Sequence, residues 1–297
     1  MKKIALSVSL ILMFFIPRGV LAQGDSVLRQ QIAEIAKTVK GIVGVSIMGL
    51  ENQDTLSYNG NARLVLHSVM KFPIALTVLH LVDTGKLSLD KMIHIKKRDL
   101  KQTNSPLRDK YPDGGVDVSI RDLLGYMVSQ SDNNACDILL KMIDGTQTVQ
   151  DFMLRSKIRG IAIRASEADM ASAWELQYTN WCKPIEMTQL LNLFYKGQIL
   201  SPSNTAFLMK LMTDSSTGLK RIKGLLPAET IVAHKTGTSP TNNAGLSPAT
   251  NDVGIITLSN GKHLAISVFV CNSTNDEATR EGTIAKIAKA AYDYYSH

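Results

Sequence analysis

The stretch Ser68–Gly85, "SVMKFPIALTVLHLVDTG", decides the fold. It is apolar on nearly every helical face, so such a helix has no side to offer water and belongs in the middle of a domain. Ser68 stands three residues before Lys71 at the head of that run. Residues i and i+3 share a helix face, so the Lys71 amine can approach the Ser68 hydroxyl. The free N–H groups of a helix start favour developing negative charge. A serine needs such a neighbouring base to become a nucleophile. A plain helix cap uses the same residue type at the same place, so this stretch alone leaves both readings open.

Outward from that helix the chain divides by hydrophobic period. Residues 26–39, "SVLRQQIAEIAKTV", are apolar at helical spacing, and 41–50, "GIVGVSIMGL", read as a buried strand, with a second strand near 54–58 completing a hairpin. From 66 to 212 the patterns are helical, and Ser119 with Asp122 opens "SIRDLLGYMVSQ" like a capping box. Past Pro227 the period shortens. "ETIVAHKTGT", "NDVGIITLS" and "HLAISVFVCN" read as strands, the last two joined at Asn260-Gly261, before an amphipathic helix over 275–294. The expected class is α/β plus all-α: an antiparallel five-stranded sheet built from both chain ends, flanked by helices, with an inserted all-helical domain. Residues 23–65 and 213–297 form the α/β domain and 66–212 the all-α domain.

Lys2 and Lys3 precede an apolar run over 4–16 and then "GVLAQG". That is a secretory leader over residues 1–22, cut after Ala22, because the run is shorter than a membrane span. The mature protein is therefore expected to be secreted, in a bacterial periplasm, with no membrane segment. The formal charge of +7 falls to about +4 without Lys2, Lys3 and Arg18, and both signs are scattered. No basic stripe suits a nucleic acid. Cys136, Cys182 and Cys271 are widely spaced, an odd count that leaves a free thiol and forms no metal clip. His67 and His234 stand apart and read as packing residues, so neither a metal nor a cofactor is expected.

Ser-x-x-Lys occurs three times: Ser68–Lys71, Ser88–Lys91 and Ser259–Lys262. The second sits in a charged turn and the third at the hairpin, so only Ser68 precedes a buried helix. Ser131-Asp132-Asn133 lies between two helical patterns, where a cap is also due. Lys235-Thr236-Gly237 lies in a strand pattern, where a glycine marks a close approach and the lysine offers an anion site.

Taken in order, these three motifs resemble those of class A β-lactamases and penicillin-binding proteins. The resemblance runs through "SVMKFPIALTVL", "SDNNACDILLKMI", "TGLKRIKGLLP" and "VAHKTGTS", and is strongest to the VEB- and PER-type extended-spectrum subgroup. It implies that fold, small-molecule β-lactam substrates, and a monomer. It also implies roles. Ser68 attacks the lactam carbonyl, and its proton leaves through Lys71 or through Glu167 and a water. Backbone N–H groups of Ser68 and Thr238 form the oxyanion hole. Ser131 relays a proton to the leaving nitrogen, and Asn133 binds the acylamide and helps hold Lys71. Lys235, Thr236, Thr238 and Ser239 hold the substrate carboxylate, with added charge from Arg221. Glu167, in "RASEADMASAWELQYTNW", activates water for deacylation.

Most members of the family carry an Arg two before that Glu, a Pro just after it and an Asn four after it; this chain has Ala165, Ala168 and Ala171. Ala171 offers a water no side-chain bond. Penicillins and oxyimino cephalosporins are the expected substrates, with clavulanate-type inhibition. His67 and Ser239 stand where several carbapenemases carry a cysteine pair, which disfavours carbapenems. A penicillin-binding-protein-type peptidase and a β-lactam sensor share the motifs but stay acylated; Glu167 and the absence of a tether argue against both. A noncatalytic binding protein would leave three ordered motifs unexplained.

Overall fold

The computed structural model describes residues 19–297. Apart from its last four residues, the expected leader, with all of its apolar run, lies outside the described residues. Helix α1 (Gly19–Lys37) leads into strands β1 (Ile42–Gly49) and β2 (Thr55–Tyr58). A short strand β3 (Leu64–Val65) and a 3₁₀ turn, His67–Met70, precede α2 (Lys71–Asp83). The middle continues with β4 (Met92–Lys96), α3 (Pro106–Lys110), β5 (Gly114–Ser119), α4 (Ile120–Ser129), α5 (Asn133–Met142) and α6 (Thr146–Arg155). Then come β6 (Ile161–Ala162), α7 (Glu167–Ser172), β7 (Trp181–Cys182), α8 (Pro184–Tyr195) and α9 (Pro202–Thr213). Three long strands, β8 (Val232–Thr238), β9 (Ser247–Thr257) and β10 (His263–Ser273), and helix α10 (Glu277–Ser296) close the chain.

The main sheet has the order β2-β1-β10-β9-β8, antiparallel throughout. Both chain ends therefore share one sheet: β1 runs against β10 from Ile42↔Cys271 to Gly49↔Leu264. Strand alternation gives the sheet two apolar faces. Val45, Ile47, Ile266 and Val268 pack with Leu28 and Ile32 of α1 and Ile284 and Ile287 of α10. Ala233, Val253, Ala265 and Phe269 join the second core, which contains α2.

Every residue of α2 from Lys71 to Leu79 is buried, as the all-round apolar pattern predicts. Pro73 fits because it lies in the first turn, where no N–H is needed. The middle segment also holds the hairpin β4–β5 and the three-stranded β3-β7-β6. Strands of two residues carry no readable period, but β4 and β5, five and six residues long, add strand to a segment expected to be helical throughout. All three cysteines are free and buried. Burial raises their thiols, that of Cys271 to about 12. Among the described residues no helix is long and apolar enough to cross a membrane.

Candidate active site

Ser68 caps nothing. It lies inside the 3₁₀ turn, and neither that turn nor α2 has a side-chain cap at its start. His67 adopts φ +45°, turning the chain sharply from β3 so that Ser68 faces a cleft. Such a left-handed non-glycine residue stores backbone strain that the surrounding packing must hold. The Ser68 Oγ accepts from Lys71 Nζ at 3.0 Å and lies 3.4 Å from Glu167 Oε1.

Lys71 has no exposed surface, and a buried amine needs partners. Besides Ser68, its Nζ reaches Ser131 O at 2.7 Å, Asn133 Oδ1 at 2.6 Å and Glu167 Oε1 at 2.9 Å. Four surrounding oxygens suit an ammonium, which donates and cannot accept. Elements far apart in sequence thus converge on one nitrogen.

The Ser131-Asp132-Asn133 segment is both a cap and part of the cleft. Asp132, fully buried, caps α5 by accepting from Ala135 N at 2.8 Å. It also accepts from Leu107 N at 2.7 Å and from Ser105 Oγ, pinning the start of α3 to α5. Ser131, at φ +58°, turns its carbonyl to Lys71 and its Oγ to Lys235 Nζ at 2.9 Å. The Asn133 amide donates to Thr103 Oγ1 at 2.7 Å, which orients its oxygen toward Lys71.

Strand β8 is the sheet edge beside the cleft. A Cβ at Gly237 would sit 2.4 Å from Leu66 O and 3.1 Å from Val69 N, so only glycine lets β8 close on the Ser68 turn. Ser239 N–H bonds Ala249 O at 2.9 Å. Antiparallel alternation then makes Thr238, opposite Thr250, a non-bonded position whose N–H points off the edge toward the cleft. The Ser68 N–H is among the first groups of a 3₁₀ turn, which have no partner inside it. Lys235 is fully buried, and burial together with the Lys71 charge holds it well below the usual lysine range. Thr236 Oγ1 pairs with Thr217 Oγ1 at 2.7 Å, and both line the cleft.

The structure places two further expected residues on this side differently from one another. Ser239 does not face the cleft: alternation places it on the same side of β8 as Gly237, where its buried hydroxyl bonds Ala249 and Ser247. Arg221 does line the cleft, but its Nε pairs with Glu281 at 3.0 Å, its Nη1 bonds the carbonyls of Gly237 and Asn251, and its Nη2 bonds Thr238 Oγ1 at 2.8 Å. Its contribution is the placement of Thr238 more than a free charge.

The loop carrying Glu167 is held at both ends. Asn180, fully buried, accepts from Arg164 N at 2.7 Å and Ala165 N at 3.0 Å and donates to Ala165 O at 2.8 Å. His67 Nε2 bonds Gln177 Oε1 at 2.8 Å, tying the residue before Ser68 to the same loop. Burial holds the His67 imidazole below its ordinary range. Glu167 itself opens α7, and its backbone N–H donates to Asp137 at 2.9 Å.

These side chains enclose a cleft of about 410 Å³, and Ser68, Ser131, Asn133, Glu167, Thr236 and Thr238 all line it. Sequence reasoning missed Thr103 and Gln177, which line the cleft, and Asp137 behind it, all placed there by pairings between distant segments. Nothing in their local sequence marks them. Among the described residues no group of three or more His, Cys, Asp or Glu is placed to hold a metal ion.

A sheet from both chain ends, a helical insertion and a serine–lysine cleft between them place the protein among the serine hydrolases of class A architecture. A family model described as the Beta-lactamase enzyme family matches residues 27–295. β-Lactamase VEB-1 of Pseudomonas aeruginosa is 44% identical over 277 residues, 92% of each chain. The extended-spectrum β-lactamase PER-1 of the same organism is 38% identical over 268 residues, covering 90% of this chain and 87% of PER-1. The crystal structure of a β-lactamase from Chitinophaga pinensis superposes with TM-score 0.88 at 49% identity, covering 90% of this chain and 98% of that one. The chain belongs to the β-lactamase enzyme family, as a class A hydrolase.

Proposed function

We propose that the protein hydrolyses penicillins and cephalosporins, oxyimino cephalosporins included, through an acyl-enzyme on Ser68. The observation that carries this reading is the position of Glu167, 3.4 Å from the Ser68 hydroxyl and 2.9 Å from Lys71. That spacing is long for a direct O–H···O bond and suits a water seated on both oxygens.

In this scheme Ser68 Oγ attacks the lactam carbonyl while its proton leaves through Lys71 or through a water to Glu167. Lys71, donating to the surrounding oxygens, supplies positive charge. The carbonyl oxygen is received by the N–H groups of Ser68 and Thr238, a contact of the kind worth about 3 kcal/mol of barrier. The C–N bond breaks and the nitrogen takes a proton from Ser131; the proton lost by Ser68 passes on through Lys71 to replace it, so Glu167 is a carboxylate before deacylation begins. Lys235, Thr236 and Thr238 bind the substrate carboxylate, and Asn133 binds the acylamide. Glu167 then takes a proton from water as the oxygen attacks the ester carbonyl, and that proton returns to Ser68 Oγ as the ester C–O bond breaks.

Support for bulky side chains comes from Ala168 and Ala171. They line a second recess of about 270 Å³, which shares Thr103, Asn133, Glu167 and Ala171 with the main cleft. The relative PER-1 carries "extended-spectrum" in its name. The reading also takes the protein as a secreted monomer cut after Ala22, with the cleft between an α/β domain of residues 23–65 and 213–297 and a helical domain of residues 66–212. Steady-state kinetics on a penicillin, an oxyimino cephalosporin and a carbapenem test it. Turnover of the first two with little of the third is expected; a single stoichiometric burst with every compound would instead mark a sensor or penicillin-binding protein.

A further inference from the structure

His234 is fully buried, and an imidazole in the interior costs stability unless its nitrogens are paired. Its Nδ1 lies 3.0 Å from both oxygens of Asp252, which is also fully buried. A carboxylate only accepts, so Nδ1 carries the proton. The other ring nitrogen, Nε2, has no partner among the described residues. Packing alone would favour an apolar side chain here, so what the histidine supplies is its bond to Asp252. Gly254 stands opposite His234 and makes room for it: a Cβ there would lie 2.7 Å from His234 Cβ.

Asp252 has a second partner. Its Oδ2 accepts from Ile222 N–H at 3.2 Å, at the start of the 3₁₀ turn Ile222–Leu225. The residue before that turn is Arg221, whose Nη1 bonds Gly237 O at 3.1 Å and whose Nη2 bonds Thr238 Oγ1 at 2.8 Å. Asp252 thus joins β8 at His234 to the turn that carries Arg221, and Arg221 returns to the same strand at Gly237 and Thr238. Lys235 and Thr236 lie between the two attachments.

We propose that Asp252, held by His234, is a positioning residue for substrate binding: it fixes the Arg221 turn and, through Arg221, the Thr238 hydroxyl. The inference rests on Lys235, Thr236 and Thr238 holding the substrate carboxylate. Neither Asp252 nor His234 is among the residues lining the cleft, so both act only through what they hold. An amide at position 252 has one acceptor oxygen for two donors, and its NH₂ would face either the imidazole N–H or the Ile222 N–H. The turn is then released, and the Arg221 guanidinium loses its fixed origin. KM should rise more than kcat falls, because Ser68, Lys71 and Glu167 keep their own partners.

The test is steady-state kinetics on a penicillin for the parent, Asp252→Asn, Arg221→Ala, their double variant and Lys235→Met, with thermal melts of each. The expected result for Asp252→Asn is a KM raised about tenfold, the size of one lost hydrogen bond to a charged group. Added to Arg221→Ala, the same substitution should raise KM no further, since both changes remove one linkage. His234→Gln, whose amide can still donate to Asp252, should stay near the parent. His234→Val should behave like Asp252→Asn, and it carries the same cycle if the asparagine variant does not fold. A parental KM in Asp252→Asn or His234→Val, whatever the melting temperature, would overturn the proposal and leave the pair to the fold alone. So would a double variant whose rise in KM is the product of the two single rises. An unchanged KM in Lys235→Met would instead sink the underlying reading of how the carboxylate is held.

Discussion

Lys71 Nζ lies 2.9 Å from Glu167 Oε1, and both side chains are buried. Lys71 is shut off from solvent, so it depends on Glu167 and on the amide and carbonyl oxygens around it, while Glu167, at the cleft wall, depends on Lys71. Removing one partner therefore affects the fold as well as the chemistry.

For Lys71→Ala, acylation should fall by on the order of 10²- to 10⁴-fold. Glu167 is then left as a buried carboxylate without its cation, a loss worth about 3 kcal/mol of stability. Single-turnover acylation and chemical denaturation at neutral pH read the two effects separately, and an unchanged burst rate would refute the role given to this lysine.

Lys235 is predicted to separate function from stability. Burial pushes it below the usual lysine range, so holding its proton costs the fold stability, a cost that fades as pH rises toward the unfolded value. Lys235→Met removes the buried cation and a charge-assisted bond to substrate worth about 2 kcal/mol. KM for a penicillin should rise more than about tenfold by that figure, while the melting temperature holds or increases. A lowered melting temperature with unchanged KM would show that the amine serves the fold alone.

His67 gives stability a pH dependence. Its proton affinity is lowered in the folded protein, so the unfolded chain binds the proton more readily as pH drops below about 6.5. The parent should lose stability between neutral pH and pH 5, and His67→Gln should lose less. Melting curves across that range check this, and parallel curves for the two proteins would rule it out.

Gly237→Ala introduces a Cβ 2.4 Å from Leu66 O, a backbone atom that cannot yield without moving the Ser68 turn. The strain should cost about 1–3 kcal/mol. Because Thr238 N–H moves with the strand, kcat should fall more than KM rises. Steady-state kinetics with one substrate give the split, and a pure KM effect would contradict the placement of that N–H in the oxyanion hole.

The parts legible in the sequence are those where local pattern and chemistry coincide. The apolar run after Ser68 announced a central helix, Asn260-Gly261 announced the β9–β10 hairpin, and Gly237 announced a close approach. Ser131 and Asn133 were legible only together with the other motifs, since Asp132 between them is also a plain helix cap. Ser239 was misplaced because a run of threonines and serine hides which residues of an edge strand turn inward. Asp137, Thr103 and Gln177 were not legible at all. Each acts through a hydrogen bond to a segment ten or more residues away, and that register is set by tertiary packing.

The central claim is that Glu167 releases what Ser68 captures, even with Ala171 unable to hold the water. Intact-protein mass spectrometry on Glu167→Ala after brief exposure to a cephalosporin tests it most directly, with Ser68→Ala as the control. The account predicts a stable adduct on Glu167→Ala, none on Ser68→Ala, and none persisting on the parent. Rapid turnover by Glu167→Ala without an adduct would contradict it.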